Sequence, residues 1–377
     1  MTVRLLRTTH FQTGHPTYLG FLIHSCTSPN QSRSTERVAA DLHGVLQRLK
    51  SESPNEEIRT SAKITQGLDS QGFSREAAKF LVKMAQDMGL LWPTNVWAWK
   101  GYVVNLVEEM DNIGDRSKED TISSPARRIV YMKYYLESDG ALMIHFVRRI
   151  LTKNGLSKHD LRFNEEEKPV EHVFEDVISE YLKSEQDFRT KVRLQNFLGF
   201  VTGSGYKSKV RIHKAFPHLD TLKDLAIINY DYAEHTYIPS TGVQGLSARF
   251  LSHFPDVSLL DKIFLGPETR RSDFPGYYER AARLYDIPYR KYSSGDRGKI
   301  SMEIKEAYRK IRDGTTGLAS VSSIKDIVCT LGLVKHGILC EWIDISQVLS
   351  ELRKEEDSHV RFHVNRNGEV EYVVMSS

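Results

Sequence analysis

The sequence predicts a mainly α chain with small β-hairpins, an α+β fold in which short helices run repeatedly into paired strands. Three observations predict it. Apolar residues recur at helical spacing in many short segments, with Ser or Gly at the ends. Alternating segments at Val360–Val364 and Glu369–Val373 flank Asn365-Arg366-Asn367-Gly368, and Asn-Gly between alternating segments is the strongest short hairpin signal. The order short helix, then hairpin, returns three times along the chain.

From the N-terminus, Val3–Thr27 holds two apolar runs that read as strands, and Ser28–Ser34 reads as a loop. Ser34 can cap a helix over Thr35–Leu49, with Glu36 in its first turn. Ser51–Glu57 is a polar break. Ser74 is the N-cap of a second helix, with Ala77, Ala78, Leu81, Val82, Ala85 and Met88 at helical spacing and Gly89 closing it. Leu90–Trp92 and Val96–Val104 then form an aromatic hairpin around Pro93-Thr94-Asn95. Asp111–Ser124 reads as a linker.

Pro125–Asn154 reads as two helices broken near Ser138-Asp139-Gly140. Lys168–Lys183 is an acidic amphipathic helix, Phe188–Phe200 another helix, and Gly203-Ser204-Gly205 a turn. Leu219, Leu222, Leu225, Ile227 and Ile228 form a short helix, followed by a polar turn over Asn229–His235 and an extended Thr236–Pro239. Gly242–Phe254 and Asp273–Asp286 are helices, and Pro288–Gly298 is a loop. The last helices are Ile300–Arg312, ending at Gly314, then Ser320–Leu331 and His336–Lys354.

The 377 residues suffice for two to four domains. The boundaries read from the pattern are 1–110, 111–265 and 266–377. A 40% hydrophobic and 27% charged composition is that of a folded soluble chain. No run approaches eighteen apolar residues, so no membrane span is expected, and Met1–Arg7 lacks the features of a signal peptide. Cys26, Cys329 and Cys340 include no CxxC, which argues for a reducing compartment without disulfides or a zinc site. The expected location is the cytoplasm, at the nucleoid if the source is prokaryotic.

Net charge is only +3, but its distribution is uneven. Arg270–Arg312 holds twelve Lys/Arg against six Asp/Glu, and Glu165–Asp187 holds nine acids against two Lys. Blocks of opposite sign suggest a bipolar surface. Solvated helix faces give the same pattern.

Three places, Ser74–Val104, His218–Tyr237 and Ile300–Val374, resemble the winged-helix (helix-turn-helix) superfamily. Together they cover under half of the chain. The likeness is one of pattern rather than of a specific motif. It implies tandem winged-helix-like domains joined by helical segments, with a role in recognition or assembly, and it transfers no functional residue.

Phosphate contact requires exposed cations, because neutralising phosphate dominates affinity for nucleic acid. In the first copy Arg75, Lys79 and Lys83 are spaced four apart on one helix face, and the expected wing offers Trp97, Trp99 and Lys100. The tryptophans also suit a core. Upstream of the second copy, Lys207, Lys209, Arg211 and Lys214 lie within eight residues that hold no acid, the densest local footprint for phosphate. In the third copy the last helix carries Glu341, Asp344, Glu351, Glu355 and Glu356 against Arg353 and Lys354. Such a face repels phosphate, and only the wing (Arg361, Arg366) and the upstream helix (Arg309, Lys310, Arg312) are favourable. Glu341, Asp344 and Glu351 are therefore expected to bind a protein partner or a second copy, with DNA contact through the wing as the alternative.

No GxxxxGK[ST], HExxH, GxSxG or GxGxxG is present. Gly295-Asp296-Arg297-Gly298-Lys299 is a weak candidate for a phosphate at a helix N-terminus. No metal, cofactor or catalytic residue is expected. The expected function is that of a non-catalytic subunit or regulator that contacts double-stranded DNA and docks a protein partner. One alternative is a protein-only structural adaptor. Another is a restriction-type, metal-dependent nuclease whose catalytic segment lies in Met1–Thr27 or Asn105–Gly203.

Overall fold

The computed structural model describes residues 125–157, 218–241, 245–254, 274–312, 316–354 and most of 360–375, together with short pieces within 33–44, 79–101 and 179–195. Helix predominates over small sheets among these residues, an α+β arrangement. Its axis is α1 (Pro125–Lys153), 29 residues long and so about 44 Å. Pro125 stands at the first helical position, where its missing N–H costs nothing. The helix is continuous through Ser138-Asp139-Gly140, where the sequence predicts a break. Tyr135 and Leu136 before that point, and Met143 and Ile144 after it, are all buried. Burial on both sides outweighs one Gly and two poor helix formers.

Three small sheets share one connectivity. Strands β1 (Arg33–Ser34), β2 (Leu91–Pro93) and β3 (Ala98–Gly101) lie in the order β1-β3-β2. Strands β4 (Leu156–Ser157), β5 (Ile228–Asp231) and β6 (Thr236–Pro239) lie in the order β4-β6-β5. In each, the last strand in sequence pairs antiparallel with both others. β1 occupies part of the segment read as a loop; Arg33 pairs with Trp99, a partner far along the chain that no local signal announces. In the second sheet the helix over 218–224 stops earlier than its apolar spacing suggests. Ala226 turns at φ 59°, and Ile228 starts a strand. β4 follows α1 directly through Gly155. A Cβ there would lie 3.0 Å from Thr236 Cγ2 and 3.3 Å from the Tyr237 carbonyl, so only glycine lets β4 close onto β6.

Helices α2 (Leu246–His253) and α3 (Tyr277–Leu284) lie within segments expected to be helical, and both pack on α1. β7 (Arg290–Lys291) and a 3-10 turn over Ser294–Asp296 lead into α4 (Arg297–Ile311). Then come β8 (Ala319–Ser320), α5 (Val321–His336), β9 (Ile338–Leu339), α6 (Trp342–Lys354), β10 (Val360–Val364) and β11 (Val370–Met375). Ser320 caps α5, its side chain accepting from the Ser323 N–H. The third sheet is antiparallel in the order β8-β11-β10, with a register shift between His363 and Val364. The sequence predicts α6 from His336. It starts at Trp342 because Gly337, at φ 63°, ends α5 in the left-handed region. Ile338 and Leu339 then pair in parallel with Arg290 and Lys291.

Helices α4, α5 and α6 enclose a core of Ile300, Ile304, Ile324, Val328, Ile345, Val348 and Leu352, and α5 also packs on α1. Glu303 of α4 is fully buried. Its Oε1 lies 2.7 Å from His336 Nε2 and 3.0 Å from Lys335 Nζ, fastening α4 to the end of α5.

A buried ionic cluster joins four helices. Asp326 Oδ1 of α5 accepts from Lys133 Nζ of α1 at 2.9 Å, Tyr278 Oη of α3 at 2.6 Å and Trp342 Nε1 of α6 at 2.9 Å. Burial, then the Asp326 charge, pushes the Tyr278 phenol well above its ordinary value, so it stays a donor. Removing one partner of such a pair leaves a buried charge alone. Asp326→Ala is therefore expected to cost about 3–5 kcal/mol, read as a lower urea midpoint. A loss under about 1 kcal/mol, the scale of an exposed pair, refutes this role.

Candidate nucleic-acid interface

Of the cations expected on the N-terminal copy, Lys79 is helical and exposed. Trp99 and Lys100 lie in β3, the central strand, where Trp99 is opposite Arg33 on one side and Pro93 on the other, and Lys100 is opposite Trp92. Arg75, Lys83, Trp97, Lys207, Lys209, Arg211 and Lys214 lie outside the described residues.

The three carboxylates assigned to a partner each have a bond within the chain. Asp344 Oδ2 accepts from the Glu341 backbone N–H at 2.8 Å, at the start of α6. Glu341 Oε2 faces the Gly276 N–H at 3.4 Å. Glu351 pairs with Arg297 Nε at 3.1 Å. Their targets lie on α3's approach, the α6 start and α4. All three residues are half-buried.

What remains exposed along α6 is Ile343, Gln347, Ser350, Arg353 and Lys354. At 100° per residue, Ile343, Gln347, Ser350 and Lys354 form one ridge. Asp344 and Glu351 lie to the side that meets α4, and Arg353 lies to the other, its guanidinium 5.5 Å from the Phe362 ring centroid of β10. The adjoining hairpin exposes Arg361, His363 and Arg366. Reading every carboxylate of α6 as solvent-facing conceals this ridge. Helical spacing places the ridge residues together, but the partners that draw the acids aside are distant in sequence.

The hairpin of the second sheet differs in charge. Its turn exposes Tyr232, Glu234 and His235. Asp231 Oδ1 accepts from the N–H groups of Ala233 at 2.9 Å and Glu234 at 3.2 Å. Two acids at a tip disfavour close phosphate contact there.

The Gly-flanked loop before α4 holds an anion of its own. Asp296 accepts from both terminal nitrogens of Arg290, at 2.6 and 2.5 Å, and from the backbone N–H and hydroxyl of Ser293, at 3.0 and 2.8 Å. The Arg290 hydrogen bonds hold the Asp296 carboxyl well below the usual carboxylate range. Among the described residues, no group of three or more His, Cys, Asp or Glu could hold a metal ion. No helix among them is long and apolar enough to cross a membrane.

No family model, curated protein or solved structure matches the chain.

Because the Asp296 pKa is depressed in the folded state, its stabilising effect is present above the unfolded aspartate value and is lost as pH falls below about 4. Asp296→Asn should lower the thermal midpoint at pH 7, with the gap to wild type narrowing below pH 4. A gap that widens on acidification contradicts the assignment.

Proposed function

We propose that this chain is a non-catalytic DNA-contacting protein, built on tandem winged-helix-like modules and working beside a protein partner. The observation that carries the reading is the repeated sheet. Three times, a short strand, an intervening helical segment and a hairpin generate the same first–third–second antiparallel order. In the C-terminal copy the order is α4, β8, α5, β9, α6, β10, β11, with β9 paired outside the copy's own sheet, an arrangement that suits a helix presented beside a wing.

On this reading the phosphate contacts are those that the basic clusters supply. Arg75, Lys79 and Lys83 share a helix face by spacing, with Lys79 exposed. Trp99 and Lys100 lie in β3 and Trp97 just precedes it in sequence, and Lys207, Lys209, Arg211 and Lys214 form the densest basic cluster by sequence. Such contacts displace counterions, so affinity for duplex falls steeply with salt. The protein works in the cytoplasm, at the nucleoid in a prokaryote.

A mobility-shift titration of the full chain on one duplex, at several salt concentrations, tests this. Reversing Lys207, Lys209 and Arg211 to Glu should reduce the slope of log affinity against log salt by about 3. A flat response in the wild type sinks the proposal.

A protein-only adaptor is favoured by one observation. Met302, Ile343, Val364 and Val370 are exposed large apolar side chains, and all belong to the C-terminal module. That reading expects no salt-dependent DNA affinity. Incubation with plasmid and magnesium or manganese should leave the DNA intact, and nicking would replace both readings with a nuclease.

A further inference from the structure

Helix α4 buries Ile300, Ile304, Ala307 and Ile311 and turns a different set outward. At 100° per residue, Gly298, Met302, Lys305 and Arg309 form one ridge, and all four are exposed. Arg312, at the end of the helix, continues it, its guanidinium 5.9 Å from the Tyr308 ring centroid. The ridge carries no acid. Glu303 is buried with His336 and Lys335. Glu306 lies on the same flank, where its charge acts on Lys335, and Glu351 is held on the other flank by Arg297. Asp313 follows the ridge and lies outside the described residues. The cations beside the ridge, Arg297 and Lys335, are thus neutralised, whereas among the described residues no carboxylate pairs with Lys305 or Arg309. Like charges four apart on a helix repel. The helix dipole favours cations in the last turn and so offsets this for Arg309 and Arg312, but it does nothing for Lys305 in mid-helix.

We propose that the outer ridge of α4 is a contact surface for the sugar-phosphate backbone of a nucleic-acid duplex, with Lys305, Arg309 and Arg312 meeting phosphates of one strand. The proposal rests on the DNA-contacting reading above and adds to it a surface separate in sequence from Arg75–Lys83 and Lys207–Lys214. Lys305 to Arg312 spans about 10.5 Å of axis. Phosphates of one strand recur about every 3.4 Å along a duplex, so the row covers about three of them. Other partners fit the ridge less well. A protein interface is poor in Lys and has an apolar centre, and Met302 is the one large apolar side chain on the ridge. A helix that lies on a membrane embeds its apolar face, and that face of α4 is buried inside the fold. Contacts of this kind position a duplex without reading its bases.

The test is a mobility-shift titration of the full chain at several salt concentrations, on two duplexes of unrelated sequence. Lys305→Gln/Arg309→Gln should reduce the slope of log affinity against log salt by about 2 on both duplexes. Its thermal midpoint should equal or exceed that of the wild type, because a repulsion is removed. Lys305→Arg/Arg309→Lys, which keeps both charges, should keep the slope. Three results overturn the proposal while leaving DNA binding itself in place. The Gln variant keeps the wild-type slope, it loses affinity for one duplex alone, or it loses slope together with a lowered thermal midpoint, which assigns the ridge to folding. Binding of poly-glutamate that the Gln variant loses, with duplex affinity unchanged, assigns the ridge to an acidic protein and also overturns it. A wild type that binds no duplex overturns the DNA reading and this proposal with it.

Discussion

The position of α6, and of everything arranged around it, depends on one buried carboxylate. Asp326 draws Lys133, Tyr278 and Trp342 from three other helices onto a single oxygen. Burying two charges is costly, and mutual attraction offsets that cost only where geometry is close and the remaining polar atoms are satisfied. Here the lysine is also stacked, its Nζ 4.9 Å from the Trp342 ring centroid, with Lys325 Nζ at 5.2 Å. An apolar core tolerates sliding of one helix on another, because its attraction has no direction. A carboxylate with three donors does not. Trp342 is the first residue of α6, so the cluster sets where that helix begins relative to α1 and α3. Tyr277 adds a second tie between the same helices, donating its hydroxyl to the Ile129 carbonyl at 2.5 Å.

Local signals carried much of the fold. Apolar spacing locates α4 and α5 to within a few residues, and Asn367-Gly368 locates the C-terminal hairpin. The elements that escaped are those whose cause is remote. β1 and β8 are two residues long and exist only as partners of β3 and β11. β9 is an apolar pair that continues a helical pattern until Gly337 and the β7 edge divert it. The break expected in α1 fails for the same reason, since the residues flanking Gly140 are packed by other elements. Asp326 reads from sequence as one more acid on an amphipathic helix, with nothing nearby to mark it as the hub of four.

The site follows the same division. Periodicity puts Ile343, Gln347, Ser350 and Lys354 on one ridge, and that much is readable. Net charge per helix is also readable, but it misleads, because it counts Asp344 and Glu351 as though they faced solvent. One is bonded at the start of its own helix, and the other is paired with Arg297 of α4. The Gly295–Lys299 loop shows the converse. Its glycines and cations suggest an empty anion cradle, yet the chain supplies the carboxylate itself, and Arg290 and Ser293 close around it.

The three sheets have one topology but unlike surfaces. A first–third–second order constrains backbone pairing and the inward residues, and leaves hairpin tips nearly unconstrained. The turn of the second hairpin bears Glu234, next to Asp231 at the end of β5, where the turn of the third bears Arg366. Affinity for a polyanion grows with every cation and is indifferent to sequence. Discrimination needs neutral donors and acceptors held at fixed positions, since a loosely placed amide offers no bidentate match. Such fixed placement is what the buried cluster gives α6, because the helix that presents Gln347 and Ser350 is the one whose first residue, Trp342, is tied to Asp326.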